Sequence, residues 1–151
     1  NHIYTHSELE ARHEIELEKY IKKVQIESRI MGELATSHIL PAAIRYQNLL
    51  ANNIRGLKEA GLAEAGFINQ KQILEKISEH INKTSDLVEK MILARKASNS
   101  IANTREKAIA YQKEVKDKFF DEIRYNVDKL ELLVDDREWY LPKYREMLFL
   151  R

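Results

Sequence analysis

The sequence predicts an all-α protein: a bundle of three or four long helices, the first bent or broken at Pro41, with an aromatic C-terminal tail that is non-helical or short-helical. Three observations predict it. Apolar residues recur every three to four positions over long stretches, which is the spacing of one helical face and not the alternation of a strand. Glycine and proline are scarce, four and two in 151 residues, while 32% of the side chains are charged and 44% hydrophobic. That balance suits long helices with wet outer faces and leaves too few turn residues for a β-sandwich. Helix start and stop signals also fall between the periodic stretches.

The first helix opens on Thr5-His6-Ser7-Glu8, a capping box in which the Thr5 hydroxyl takes the Glu8 amide and the Glu8 carboxylate returns to the Thr5 amide. Leu9, His13, Leu17, Tyr20, Val24, Met31 and Leu34 or Ala35 then make one stripe. His13 reads as a polar member of that packed face. Ile15, Ile26 and Ile30 form a second flank, so the helix is expected to be covered on more than one side. Pro41 removes a helical hydrogen bond, yet the pattern resumes at Ile44, Leu49 or Leu50, Ile54 and Leu57. A single bent helix is favoured over a break, because no turn residues precede the proline. Lys58-Glu59-Ala60-Gly61 reads as a helix end with Gly61 as its C-terminal cap, and the connection is placed within 58–68.

The second long helix is expected from about Asn69 to Asn99. Leu74, Ile77, Ile81, Thr84, Val88, Met91 and Arg95 step alternately by three and four, a heptad seam interrupted by Thr84. The third helix starts near Asn103 or Thr104. Its stripe of Ala108, Tyr111, Val115, Phe119, Ile123, Val127, Leu130 and Val134 steps mostly by fours. Such a seam drifts around a regular helix in the sense opposite to a heptad, which points to crossing helices and not an extended coiled coil. Asp135-Asp136 ends the pattern. Behind it comes a tail holding the only tryptophan, Trp139, with Tyr140, Pro142, Tyr144 and the apolar run from Met147 to Leu150. Side chains of this size forfeit about 1.5–3 kcal/mol each when left in water, so the tail is expected to dock on these helices or on a partner.

Composition excludes several function classes. There is no cysteine, hence no disulfide, thiolate zinc site, iron–sulfur cluster or cysteine nucleophile; this fits a reducing cytoplasm. Basic and acidic residues nearly cancel, 25 against 24, and each basic cluster has acids nearby, so no nucleic-acid face is expected. No apolar run approaches a membrane span. Asn82-Lys83-Thr84 reads as a chance glycosylation sequon. Glu10-Ala11-Arg12-His13 is one half of a di-metal pattern, but Ala35 and Ile77 stand where acids would have to precede His38 and His80. Gly61 and Gly66 have the spacing of a phosphate loop, followed by Phe67-Ile68 instead of Lys-Ser or Lys-Thr. His13-Glu14 meets Leu17 where a metalloprotease needs its second histidine. The first residue is Asn1, not Met, and the chain reads as a piece of a longer one.

Two stretches carry a resemblance. Tyr4-Thr5-His6-Ser7-Glu8-Leu9 leads into Arg12-His13-Glu14-Ile15 and then Glu18-Lys19-Tyr20. Ile26-Glu27-Ser28-Arg29 and Ile39-Leu40-Pro41-Ala42 follow, and the far end carries 128–136, Trp139, Pro142, Tyr144 and Leu148-Phe149. The chain thereby resembles the C-terminal helical region of type III glutamine synthetases, in their Bacteroides-like branch, which finish on a Trp-Pro-x-Pro-x-Tyr motif and a Leu-Phe pair. The likeness covers the whole chain, weakly over 58–100. One departure is clear: Tyr140-Leu141 replaces the proline that usually follows the tryptophan.

The resemblance implies that residues 1–151 are a single helical domain from the C-terminus of a larger cytoplasmic enzyme. That parent joins ammonia to glutamate with ATP and magnesium or manganese through γ-glutamyl phosphate, and assembles as a dodecamer. Its ATP, metal and glutamate residues lie upstream. No catalytic, cofactor-binding or metal residue is therefore carried over to this chain, and the fragment alone is expected to be inactive and without a cofactor. Its own role is expected to be structural, packing on the synthetase catalytic domain or on neighbouring subunits. Trp139, Tyr140, Pro142, Tyr144, Leu148 and Phe149 are the candidate contact residues. The alternative from another class is a free-standing helical interaction module.

Overall fold

The structure is a computed structural model that describes residues 5–139. Every regular element among them is helical. The elements are α1 (His6–Leu34), a π-helical stretch (Ala35–Ile39), α2 (Leu40–Glu59), a 3-10 turn (Glu64–Gly66), α3 (Ile68–Asn99), α4 (Thr104–Ala110), a second π-helical stretch (Tyr111–Phe120) and α5 (Asp121–Leu133). Since backbone angles stay helical at Leu34, Leu40, Tyr111 and Asp121, these amount to three helical runs, 6–59, 68–99 and 104–133.

Local chemistry sets the ends. The capping box forms: the Glu8 amide donates to Thr5 Oγ1 at 3.3 Å and the Thr5 amide to Glu8 Oε2 at 2.8 Å. Asn103 caps α4, its Oδ1 accepting from the Glu106 amide at 3.0 Å. At the end of α2 the Leu62 amide donates to Leu57 O and the Gly61 amide to Lys58 O, both at 3.1 Å. That bond pair is a Schellman motif, and Gly61 supplies its left-handed residue with φ 94°. Alanine there is strained by about 1–2 kcal/mol. Gly61→Ala should lower the unfolding free energy by that amount in urea titration followed by circular dichroism.

Pro41 sits at the start of α2 in an unbroken helical run. The turn before it is π-helical: the Leu40 amide donates to Ala35 O, five residues back. A widened turn spares the proline ring the carbonyl clash that a tight α-turn would impose. The helix neither stops nor needs turn residues there.

The chain divides into two compact units. The first is drawn from the chain up to Gly32 and from Leu87–Glu122. Its core holds Ile21, Val24, Ser28, Val88, Met91, Tyr111, Val115 and Phe119. A part-buried hydrogen-bond hub links its helices. Gln25 Nε2 donates to Tyr111 Oη at 2.9 Å and to Asn99 Oδ1 at 2.8 Å. Tyr111 Oη faces Asn99 Oδ1 at 3.3 Å and Arg95 O at 3.5 Å, so its single proton has an acceptor.

The second unit is drawn from Glu33–Asp86 and from Ile123 onward. Ile39, Leu40, Ala43, Leu50, Ile77, Leu130, Val134 and Trp139 form one buried cluster there, with Leu74, Ile81 and Val127 packed against it. Gln47 Nε2 donates to Ser78 Oγ at 2.7 Å, and His80 Nδ1 meets Asn126 Oδ1 at 2.9 Å.

The sequence pattern needs two corrections. The first turns of α1 are not packed: Leu9 and His13 are exposed, and so are Ile15, Ile26 and Ile30. No described part of the chain covers that second flank. In the third run the stripe of fours does not drift as a regular helix would make it. Tyr111, Val115 and Phe119 are all buried within the π-helical stretch. Bonding five residues back turns the chain less per residue, so a step of four returns to the same face.

Candidate functional site

The segment behind α5 is where sequence placed the contact residues, and its first part lies within the described structure. The Val134 amide still donates to Leu130 O at 2.9 Å. Asp135 then stops the helix: its carboxylate accepts the Arg137 amide at 2.8 Å, and its carbonyl accepts the Glu138 amide at 3.0 Å. This is an Asx-type turn, the structure an aspartate favours where a helix ends. The Trp139 amide donates to Asp136 O at 3.3 Å. Reversed in this way, the chain carries Trp139 into the buried cluster of the second unit, where it is 9% exposed.

One side chain braces the turn from a distance. Arg45 Nε donates to Glu138 Oε2 at 3.0 Å, and Arg45 Nη2 to the Glu138 carbonyl at 3.4 Å. Both partners are partly exposed, so the pair contributes about 0.5–1 kcal/mol, less in high salt. Arg45→Ala should therefore lower stability by that amount at low ionic strength, and the difference should shrink in molar salt when both chains are titrated with urea. Sequence reading named Trp139 but missed Arg45 and Glu138. They lie 93 residues apart, and a contact at that separation leaves no local signature. Tyr140, Pro142, Tyr144, Leu148 and Phe149 lie outside the described residues.

A surface cleft of about 230 Å³ in the first unit is lined by Glu10, His13, Glu14, Leu17, Asn103, Thr104 and Arg105. It brings together the Glu10-x-x-His13 pair and Arg105, and the Thr104 hydroxyl donates to Glu14 Oε1 at 3.3 Å. Among the described residues no group of three or more His, Cys, Asp or Glu side chains is placed to hold a metal ion. The perturbed titrations arise elsewhere. Burial raises the Tyr20 phenol above its ordinary value, with Asp117 and Glu27 adding to it. The hydrogen bond to Lys71 lowers Glu64, and that to Lys83 lowers Glu79, both on the wet surface. These are the marks of a packed phenol and two surface ion pairs. What the second unit offers instead is anchorage: a tryptophan seated among aliphatic side chains.

The profile of the glutamine synthetase C-terminal domain family matches residues 1–58. A glutamine synthetase of Bacteroides fragilis is 43% identical over 150 residues, 97% of this chain and 20% of the relative. A type-3 glutamine synthetase of Dictyostelium discoideum is 28% identical over 95% of the chain, and a glutamine synthetase of Butyrivibrio fibrisolvens 28% over 97%. The chain spans about a fifth of the length of these relatives. It belongs to the glutamine synthetase C-terminal domain family, in the type III branch.

Proposed function

We propose that the chain is the C-terminal helical domain of a type III glutamine synthetase and that its role is assembly, not chemistry. The observation that carries this is the 43% identity along 97% of the chain to a relative five times its length. In this reading the ligation of ammonia to glutamate, with ATP and magnesium or manganese, belongs to the rest of a cytoplasmic parent. The helices form a bundle that packs on the catalytic domain or on neighbouring subunits, and the tail from Tyr140 to Leu150 makes part of that contact. Among the described residues no helix is long and apolar enough to cross a membrane.

Two experiments test the proposal. The reading frame immediately upstream of Asn1 should encode a synthetase catalytic domain; a start codon with no such frame favours a free-standing interaction module instead. In the whole enzyme, truncation after Trp139 should impair subunit assembly and lower activity. The cut leaves in place Glu138, which pairs with Arg45, and Trp139, which belongs to the buried cluster of the second unit. Assembly and activity both surviving unchanged would overturn the role given to the tail.

A further inference from the structure

The outer face of α2 is short of charge. Residues 34–54 hold a single Asp, Glu, Lys or Arg, namely Arg45, in a chain that is 32% charged, and no other stretch of that length is so poor in charge. Yet Ile44, Asn48, Leu49, Ala51 and Asn52 of this stretch are exposed. Ile44 is 46% exposed and Leu49 53%. They flank Arg45: Ile44 precedes it, and Leu49 lies one turn further along the helix. Exposed apolar side chains on the other helices have charged neighbours three or four residues away. Ile15 has Arg12, Glu18 and Lys19, Leu93 has Glu89, Lys90 and Lys96, and Tyr125 has Asp121, Glu122, Asp128 and Lys129. At those distances Ile44 has only Leu40, Pro41, Gln47 and Asn48. The one charge beside Leu49 is Arg45, which is already bonded to Glu138. Loss of charge around large apolar side chains is the composition of a covered surface.

We propose that this face is covered by the chain's own C-terminal segment, residues 140–151, docked on Ile44 and Leu49. The start of the segment is already fixed there. Arg45 holds Glu138 by its carboxylate and its carbonyl, and Trp139 sits in the cluster with Leu40, Ala43 and Leu50 of α2. Consecutive Cα atoms are about 3.8 Å apart, so Tyr140 begins the segment beside Arg45. Seven of the twelve residues are large and apolar: Tyr140, Leu141, Tyr144, Met147, Leu148, Phe149 and Leu150. From Ile44 to Asn52 the helix rises about 12 Å, and twelve residues span about 18 Å even at the short rise of an α-helix. The segment is therefore long enough to lie over the whole face.

The tether selects this occupant over a separate molecule. A segment held so close meets the face at a millimolar or higher effective concentration. It also avoids the translational and rotational entropy that a separate partner loses on binding. Two α2 side chains cannot cover all seven apolar residues, so the outward side of the docked segment is what remains for a neighbouring subunit. The proposal stands apart from the glutamine synthetase reading, since it needs only the 151-residue chain.

Limited trypsin digestion of the 151-residue chain, read by mass spectrometry, tests it, because Lys143 and Arg145 lie inside the segment. Cleavage of a docked segment tracks the fraction that is undocked, so both sites should be cut at least about tenfold more slowly than in a synthetic peptide of residues 138–151. Ile44→Ser combined with Leu49→Ser should return the rate to that of the peptide. Leu132→Ser, on the outer side of α5 and more exposed than either, should leave it unchanged. Cleavage after Lys96 and Arg105, in the first unit, is the internal reference and should be equal in all chains. Fluorescence of the only tryptophan should match the parent in the double variant, which separates undocking from unfolding of the second unit. Protection should be the same from low micromolar to near-millimolar chain. A parent chain cut as fast as the peptide overturns the proposal, and so does a double variant cut no faster than the parent. Protection that grows with concentration also overturns it, by placing a second copy on the face.

Discussion

Trp139→Ala should cost about 3–5 kcal/mol of unfolding free energy, the range for removing a buried tryptophan. The indole is 9% exposed and closes a cluster with Leu40, Ala43, Leu50, Leu130 and Val134. These residues are already committed to their helices, so the vacated volume cannot readily collapse. Arg45 and Glu138 would keep the turn in place and hold the gap open. Urea titration followed by circular dichroism measures the loss. Trp139 is the only tryptophan, so in the parent chain its fluorescence reports the second unit alone. Coincident fluorescence and circular-dichroism transitions would show that both units unfold together. An unfolding free energy within about 1 kcal/mol of the parent would mean that the indole contributes little to the cluster.

The second large effect belongs to the first unit. Tyr111→Ala should cost about 3–5 kcal/mol as well, because the ring is fully buried between Val115 and the elements that carry Gln25 and Asn99. Tyr111→Phe separates the two contributions. It keeps the ring but removes the acceptor for one Gln25 N–H and the proton shared with Asn99 and Arg95 O. An unsatisfied buried donor costs about 1–3 kcal/mol, and the half-buried Gln25 amide falls at the low end, about 1 kcal/mol. The phenylalanine chain should therefore lose about a third of what the alanine chain loses. Equal losses in both would place the whole effect in the hydroxyl, and no loss in the phenylalanine chain would show the hub to be energetically idle.

Helix limits were legible wherever a short local motif decides them. The Thr5–Glu8 box, Gly61 and Asn103 each act within a few residues, and each appears in the structure at its place. The buried seam of α3 was legible too, including Thr84, Val88 and Met91. Covering was not. The periodicity of α1 shows which residues share a face, but nothing in Ile15, Ile26 or Ile30 says whether another helix lies over them, and they are exposed. The π-helical stretches were read only by their footprint. Bonding five residues back requires no special residue type, so the run of fours from Tyr111 to Phe119 is the sole trace, and on a regular helix such a run reads as drift. Of the six contact residues named from sequence, the structure describes only Trp139, and that one is seated against this chain's own helices.

The two π-helical stretches also bear on how these helices change length over time. A turn that bonds five residues back houses one residue more than an α-turn does. Ala35–Ile39 and Tyr111–Phe120 are therefore places where each helix has room for a surplus residue while its buried stripes stay in phase on both sides. Insertions and deletions accepted within these helices, among relatives or by design, should concentrate there. Elsewhere, gaining or losing one residue would swing every following side chain about 100° around the axis.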